Sequence, residues 1–428
     1  MASICRNLFR NSCRLVFRRL CAGLPRLVTM VATVAGLTWA GSISAPGAVA
    51  AEPEPASLVW FGTYTGGPGK SEGIYVSRFD TATGRLSPPT LAATAKNPSF
   101  LALHPNLPVL YAVSEVADAD GKPTGAVLAF GIDPTSGRLT PKNHQPSGGK
   151  GPCHVSVDRT GRAVVAANYG GGSVICLGIT ADGSLAPAVT APPGSFIQHE
   201  GSSVNPQRQQ GPHAHSIFPS ADGRFAVACD LGLDKVFVHA LDAGKATLAP
   251  HGFATVAAGA GPRHFAFHPN GKFGYSVNEL DRTVTAFSYD SAAGVLTPIG
   301  SVSTLPPDVT QTDGFSTAEI VAHPGGRFLY ASNRGHHSIA MFALDPANGR
   351  PSFLGAEPIR GKTPRNFSID PSGRFLLAGG QESDTVTVFA IDPETGRLSF
   401  TGHSLDVPAP VCIRFRTTSQ PAPSLPTP

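Results

Sequence analysis

The stretch His264-Phe265-Ala266-Phe267-His268-Pro269-Asn270-Gly271-Lys272-Phe273 joins two short apolar runs through a turn, and the chain repeats it. Glu319-Ile320-Val321-Ala322-His323-Pro324-Gly325-Gly326-Arg327-Phe328 and Asn366-Phe367-Ser368-Ile369-Asp370-Pro371-Ser372-Gly373-Arg374-Phe375 share its layout. Further copies start at His154, with turn Gly161, and at His215, with turn Gly223; a degenerate copy starts at Phe100. Pro presets φ, Gly accepts positive φ, and Asn and Ser favour tight turns, so each copy reads as a β-hairpin.

A second element closes each unit. Asp80, Asp133, Asp290, Asp345 and Asp392 each end an apolar strand four positions before a Gly, and looser copies end near Gly183 and Gly244. Asp bonds the backbone of its own turn and Gly takes the left-handed position, so this element reads as the hairpin between the two outer strands of a unit. The closing glycines lie 46 to 61 residues apart, a spacing suited to four strands per unit. Seven closures predict an all-β, seven-bladed β-propeller. The first unit lacks an inner strand, whereas the chain's last apolar run, Pro410-Val411-Cys412-Ile413-Arg414-Phe415, matches the start of the others. The C-terminal strand is therefore expected innermost in the first blade, closing the ring and leaving no open sheet edge.

Composition agrees: with 48 Gly and 40 Pro among 428 residues, long helices are excluded, and 41% hydrophobic content excludes a disordered chain. The net charge of +4 is an effect of one end, since Arg6, Arg10, Arg14, Arg18, Arg19 and Arg26 precede any acid. Without them 27 bases face 29 acids, too even for a nucleic-acid-binding field. The Arg-rich start, the apolar run Leu27 to Ala40 and the triplet Ala48-Val49-Ala50 read as an export signal cleaved after Ala50. The apolar run is short of the roughly 20 residues that span a bilayer, so no membrane association is expected once it is removed. Arg18-Arg19 fits a twin-Arg signal only loosely. The expected organisation is an export signal over 1–50, a linker over 51–57, the propeller over 58–416 and a disordered Pro/Ser/Thr-rich tail over 417–428. A periplasmic or secreted monomer follows. Cys153, Cys176, Cys229 and Cys412 show no metal-knuckle spacing and read as small buried hydrophobes.

In a propeller, equivalent inner-strand positions form a ring at one mouth of the central channel. The repeat assigns Phe100, His154, His215, His264, Glu319, Asn366 and Cys412 to that ring, with the His215 register open by one residue. Cys153, Arg263 and Arg365 precede it. Such a set suits carboxyl-ester hydrolysis: a His or Glu takes a proton from water, while Arg holds an anionic group or a developing oxyanion. No GxSxG nucleophile motif is present, so water is the expected nucleophile. Glu319, in an apolar Ile-Val-Ala context, needs a partner, for which Arg263 of the adjacent blade is the natural choice, either catalytically or as a structural clasp. His104, His268 and His323, as His-Pro in turns, read as structural. The pair His213-x-His215 is a weaker metal-site reading. The long connection 192–212 reads as a lid or rim that brings His199 and Arg208 to the substrate.

The stretches Gly62-Thr-Tyr-Thr65, Gly151-Pro-Cys-His154, Asn205-Pro-Gln-Arg208, Gly211-Pro-His-Ala-His215, Gly261-Pro-Arg-His264, Ala318-Glu319-Ile320, Ser332-Asn-Arg-Gly335 and Thr363-Pro-Arg-Asn366 resemble the bacterial seven-bladed propeller lactonases. That family includes propeller-type 6-phosphogluconolactonases and is related to carboxymuconate-lactonizing enzymes. The resemblance implies hydrolysis of a small sugar lactone, phosphorylated or not, with neither metal nor cofactor. It implies Glu319 or His154 as the base, Arg263 as oxyanion or carboxylate binder, and Arg208 with His215 on the substrate's distal group; His264, Arg365 and Asn366 from the ring positions and His199 from the long connection are the further substrate-binding candidates. A muconate-type lactonizing cycloisomerase and a non-catalytic binding propeller are the competing readings.

Overall fold

The computed structural model describes residues 57–417, apart from 67–70, 120 and 311. The expected export signal and the tail beyond 417 lie outside the described residues. Thr417, assigned above to the tail, instead ends a strand and pairs with Ser57.

Seven four-stranded antiparallel sheets account for the described strands, and no helix occurs among the described residues. Blade one takes its innermost strand from the C-terminal end: Pro410–Thr417 pairs with Ser57–Thr63, followed outward by Gly73–Phe79 and Thr90–Thr94. Blades two to seven follow in chain order, with inner strands Leu101–Leu103, Pro152–Val157, Ala214–Pro219, Pro262–Phe267, Ser316–Ala322 and Pro364–Ile369.

Adjacent sheets bury their faces against each other, so a blade's second strand is buried throughout, as Val109–Ser114 is, while the outermost strands alternate with solvent. Each core cluster accordingly straddles a blade junction: Tyr275, Val277 and Val284 of blade five meet Ile320, Leu329 and Phe342 of blade six. Val59, Phe61 and Phe79 of blade one meet Leu377 and Val388 of blade seven, with Ile413 of the closing strand between them. Each such buried side chain contributes about 1.5–3 kcal/mol.

The turns behave as their sequences require. Gly84, Gly137, Gly294, Gly349 and Gly396 take φ of +66° to +74° and donate to the carbonyl of the Asp four residues earlier. The looser blade-four copy differs: Ala246, not Gly244, takes the positive φ there, at 55°. These turns are also sockets for the preceding blade. The Trp60 indole donates to the Gly137 carbonyl, and the Tyr111, Tyr275 and Tyr330 hydroxyls donate to those of Gly183, Gly349 and Gly396.

Candidate active site

Every inner strand but the shortest carries a bulge near its start, and the bulge sets which side chains face the mouth. Pro152 pairs with Asn168 and His154 with Ala167, leaving Cys153 between them; Arg263 and Arg365 sit in the same position in blades five and seven. In blade four, Ala214 pairs with Asp230 and Ser216 with Cys229. His215 therefore occupies the bulge, in the row of Cys153, Arg263 and Arg365, and Ser216 replaces it in the row of His154, His264, Glu319, Asn366 and Cys412. The extra residue in Gly211-Pro-His-Ala-His215 is the cause of this one-place shift.

The mouth is a narrow cavity of about 10 Å³ lined by Tyr64, Glu115, Cys153, His215, Arg263, His264, Arg365 and neighbouring Ser99, Phe100 and Val411. A larger groove of about 690 Å³ lies at the opposite end, against turn residues such as Gly326 and Thr395, and gathers no comparable set of titratable groups.

Just inside the mouth, Glu319 and His264 form a pair. The His264 Nδ1 donates to Glu319 Oε1 at 2.7 Å, the Ile320 amide donates to the same oxygen at 3.0 Å, and the Asn366 amide donates to Oε2. The Asn366 carbonyl oxygen is itself fixed by the Ile413 amide, on the closing strand, at 2.9 Å. Burial would raise the Glu319 carboxyl, but the adjacent His264 overcomes it and the group stays below the ordinary carboxylate range. Burial lowers His264, against the pull of Glu319, so the imidazole is neutral near pH 7. Its Nδ1 proton is committed to Glu319, which leaves Nε2 as a lone pair with no protein partner.

His154 packs against the same ring, 5.3 Å between centroids, and against Phe100 and Phe218 at 4.3 and 4.4 Å. It is fully buried and does not line the mouth. His215 also sits 5.3 Å from His264, on the mouth side. Burial holds both imidazoles well below the usual histidine range.

Arg263 is not partnered by Glu319 as expected. Its Nε donates to Glu279 Oε2 at 2.9 Å and its Nη1 to the Ala318 carbonyl at 2.6 Å. Glu279 is the hub of three arginines: Arg208 reaches Oε1 at 2.7 Å and Arg334 reaches Oε2 at 2.8 Å. Burial would raise the Glu279 carboxyl, but Arg334, Arg263 and Arg208 together draw it down to about 2. Burial first, then Arg365 and Arg334, lower the Arg263 guanidinium to about 10, so it remains charged at neutral pH. Across the mouth, the Tyr64 hydroxyl donates to Glu115 Oε2 at 2.9 Å, Ser99 bonds the same carboxylate, and Arg365 lies over the Tyr64 ring at 5.4 Å. Four arginines against Glu279 and Glu115 leave the opening positive, suited to an anionic substrate or oxyanion.

Glu115, Glu279 and Arg334 were not singled out as site residues from the repeat. They share a position with Tyr64, Tyr169, Leu231 and Gln381: one residue past the second-strand position that pairs with the residue before the bulge, or its equivalent in blade two. That position was the available signal, but its residue types are mixed: Tyr and Glu occur twice each, beside Leu, Arg and Gln.

The connection 192–212 divides. Its second half is anchored as a rim: Asp234 accepts from Gln209 at 2.8 Å and from Ser203 at 2.5 Å, and Arg208 bonds the Tyr169 hydroxyl at 3.1 Å on its way to Glu279. His199 is a correction. Its Nδ1 bonds Asp230 Oδ2 at 2.7 Å and its Nε2 faces His239 Nε2 at 3.3 Å, so it lies in a groove between the outer strands of blades three and four and not at the mouth. Asp230, at the end of its strand, turns it outward. His213 stacks on Tyr169 and bonds its carbonyl through Nδ1 at 3.0 Å, whereas His215 contacts Cys153, so the two are engaged separately.

A closed seven-bladed ring whose mouth pairs a carboxylate-oriented histidine with clustered arginines defines a propeller built for acyl chemistry on small anionic or polar molecules. The chain belongs to the seven-bladed β-propeller lactonase family, whose model matches residues 58–415. It is 40% identical over 356 residues to a 6-phosphogluconolactonase of Bacillus subtilis, covering 83% of this chain and 97% of that one. A 6-phosphogluconolactonase of Formosa agariphila is 35% identical, covering 70% and 82%. The crystal structure of a periplasmic gluconolactonase from Pseudomonas aeruginosa superposes with a TM-score of 0.77 at 34% identity, covering 85% of this chain and 99% of that one.

Proposed function

We propose that this lactonase opens a sugar lactone of the gluconolactone or 6-phosphogluconolactone type, using water activated by His264. The carrying observation is the His264 imidazole, whose Nδ1–H is held by Glu319 and whose Nε2 lone pair is unpartnered beside Arg263. Nε2 takes a proton from water, and the hydroxide adds to the lactone carbonyl carbon. The carbonyl oxygen becomes an oxyanion stabilised by Arg263 and Arg365. On collapse the ring C–O bond breaks, and the departing ring oxygen takes the proton back from His264 to give the hydroxy acid. Glu319 has both oxygens occupied and acts through His264, orienting the ring and stabilising its cationic form. His154 supports the ring from beneath. Arg208 and His215 hold the substrate's distal group; the positive opening suits a phosphate or carboxylate there.

The relatives named above support the substrate class. An Arg-rich, then apolar, then small-residue start over 1–50 and the periplasmic gluconolactonase of P. aeruginosa both favour an exported protein working on a small molecule, with no nucleic-acid partner. The test is acid release from gluconolactone and from its 6-phosphate by protein lacking residues 1–50, measured above the buffer rate. Turnover of at least one is expected, lost in Glu319→Gln; no acceleration of either overturns the reading.

A further inference from the structure

The groove that receives His199 is a second cavity of about 400 Å³, away from the mouth, walled by Ile197 to Glu200 on one side and by Lys235, Phe237, His239 and Pro250 to Phe253 on the other. We infer that it binds a small planar aromatic carboxylate. Aromatic surface dominates its walls: Phe253 is 54% exposed, Phe237 stacks on His199 with centroids 4.1 Å apart, and Phe253 meets Phe237 edge-on at 5.8 Å. An aromatic ring completes that arrangement, covering a face that otherwise meets water.

Lys235 supplies the charge. Its ammonium lies 4.4 Å from the Phe253 centroid and 5.8 Å from that of Phe237, and it has no carboxylate partner among the described residues. A ligand carboxylate beside the rings is the group that this cation lacks. Glu200 also lines the groove, but it is exposed and free to turn to solvent.

The inner end of the groove carries a polar handle. Asp230 accepts from His199 Nδ1, and His199 Nε2 and His239 Nε2 share one hydrogen. His239 Nδ1 has no partner although the residue is only 2% exposed. Burial, with His199 next to it, draws His239 down to about 3, consistent with a neutral ring. A hydroxyl or amide on the aromatic ring, able to donate or accept, satisfies it. This gives the first half of the 192–212 connection a role: it builds one wall of a binding groove and not a cover for the mouth.

The test is fluorine NMR titration of protein lacking residues 1–50 with 4-fluorobenzoate and 4-fluorobenzylamine. Saturable binding of the benzoate is expected, weakened by about fivefold or more in Lys235→Met and in Phe253→Ala, with lactone turnover unchanged in both variants. Equal binding of the amine, no saturable binding of the benzoate, or affinity unchanged in Lys235→Met overturns the inference. So does binding that survives in Lys235→Met and is lost in Arg263→Ala, which moves the probe to the mouth. Because neither probe is a lactone, failure here leaves the lactonase reading intact.

Discussion

The two ends of the propeller use the same residue in opposite ways. At the end away from the mouth, His104, His268 and His323 each donate from Nε2 to the turn glycine of the next blade, Gly161, Gly326 and Gly373, at 3.0, 2.8 and 2.9 Å. Their Nδ1 atoms accept amides of their own turns, so both ring nitrogens are used. At the mouth and just beneath it, His264 and His154 each keep an Nε2 with no protein partner, although both rings are buried. A buried polar atom left unsatisfied costs about 1–3 kcal/mol, so the first set stabilises the ring and the second retains bonding capacity at the expense of stability.

That contrast can be broken by substitution. His264→Asn should remove the Nε2 base and lower kcat by about 10²–10⁴-fold, while the Asn amide can still donate to Glu319 as Nδ1 does. An unchanged kcat would end the case for His264. Arg263→Met should lower kcat by about 10²–10³-fold through loss of the oxyanion donor; a change confined to KM would instead assign Arg263 to ground-state binding.

Glu279→Gln tests the hub, and its effect should be seen in pH dependence as well as in KM. A carboxyl held at about 2 in the fold is lower than in the unfolded chain, where it titrates near about 4.3. Its stabilisation is complete above that unfolded value and is lost as pH falls towards 2. Urea midpoints should therefore drop less steeply over that window in the variant than in the parent chain, and parallel curves would refute the assignment. Conversely, the lowered His154, His215 and His264 destabilise the fold as pH falls below about 6.5, where the unfolded chain binds protons that these rings refuse. The smallest effect is expected for Tyr330→Phe, which removes one bond to Gly396: about 1 kcal/mol of stability, seen as a small fall in Tm with lactone kinetics unchanged. A loss of turnover there would show that blade-to-blade clasps tune the mouth.

Much of this was legible because a propeller writes its geometry into a repeat. The Asp-to-Gly closures located the outer hairpins, and the match of Pro410-Val411-Cys412 to the inner strands located the ring closure. His264, Glu319, Arg263 and Arg365 were legible for the same reason, as they occupy repeated positions on inner strands. Glu279 and Glu115 were not, because the row past the second strands holds Tyr, Leu, Gln and Arg as readily as Glu. His199 misled by adjacency: it is close in sequence to the mouth residues, but its direction depends on Asp230, a bond between parts of the chain 31 residues apart that no local pattern encodes.

The closing strand has a consequence for how the protein is made. Pro410–Thr417 is the last described segment synthesised, yet it is the innermost strand of the blade built first. Six blades can form while the ribosome is still at work, but the circle stays broken, with Phe61 and Phe79 unprotected and the Asn366 carbonyl oxygen without the Ile413 amide, until that segment emerges. That segment bolts the His264–Glu319 pair in place through Asn366, and a chain cut short near 410 would keep most of its strands and lose this support.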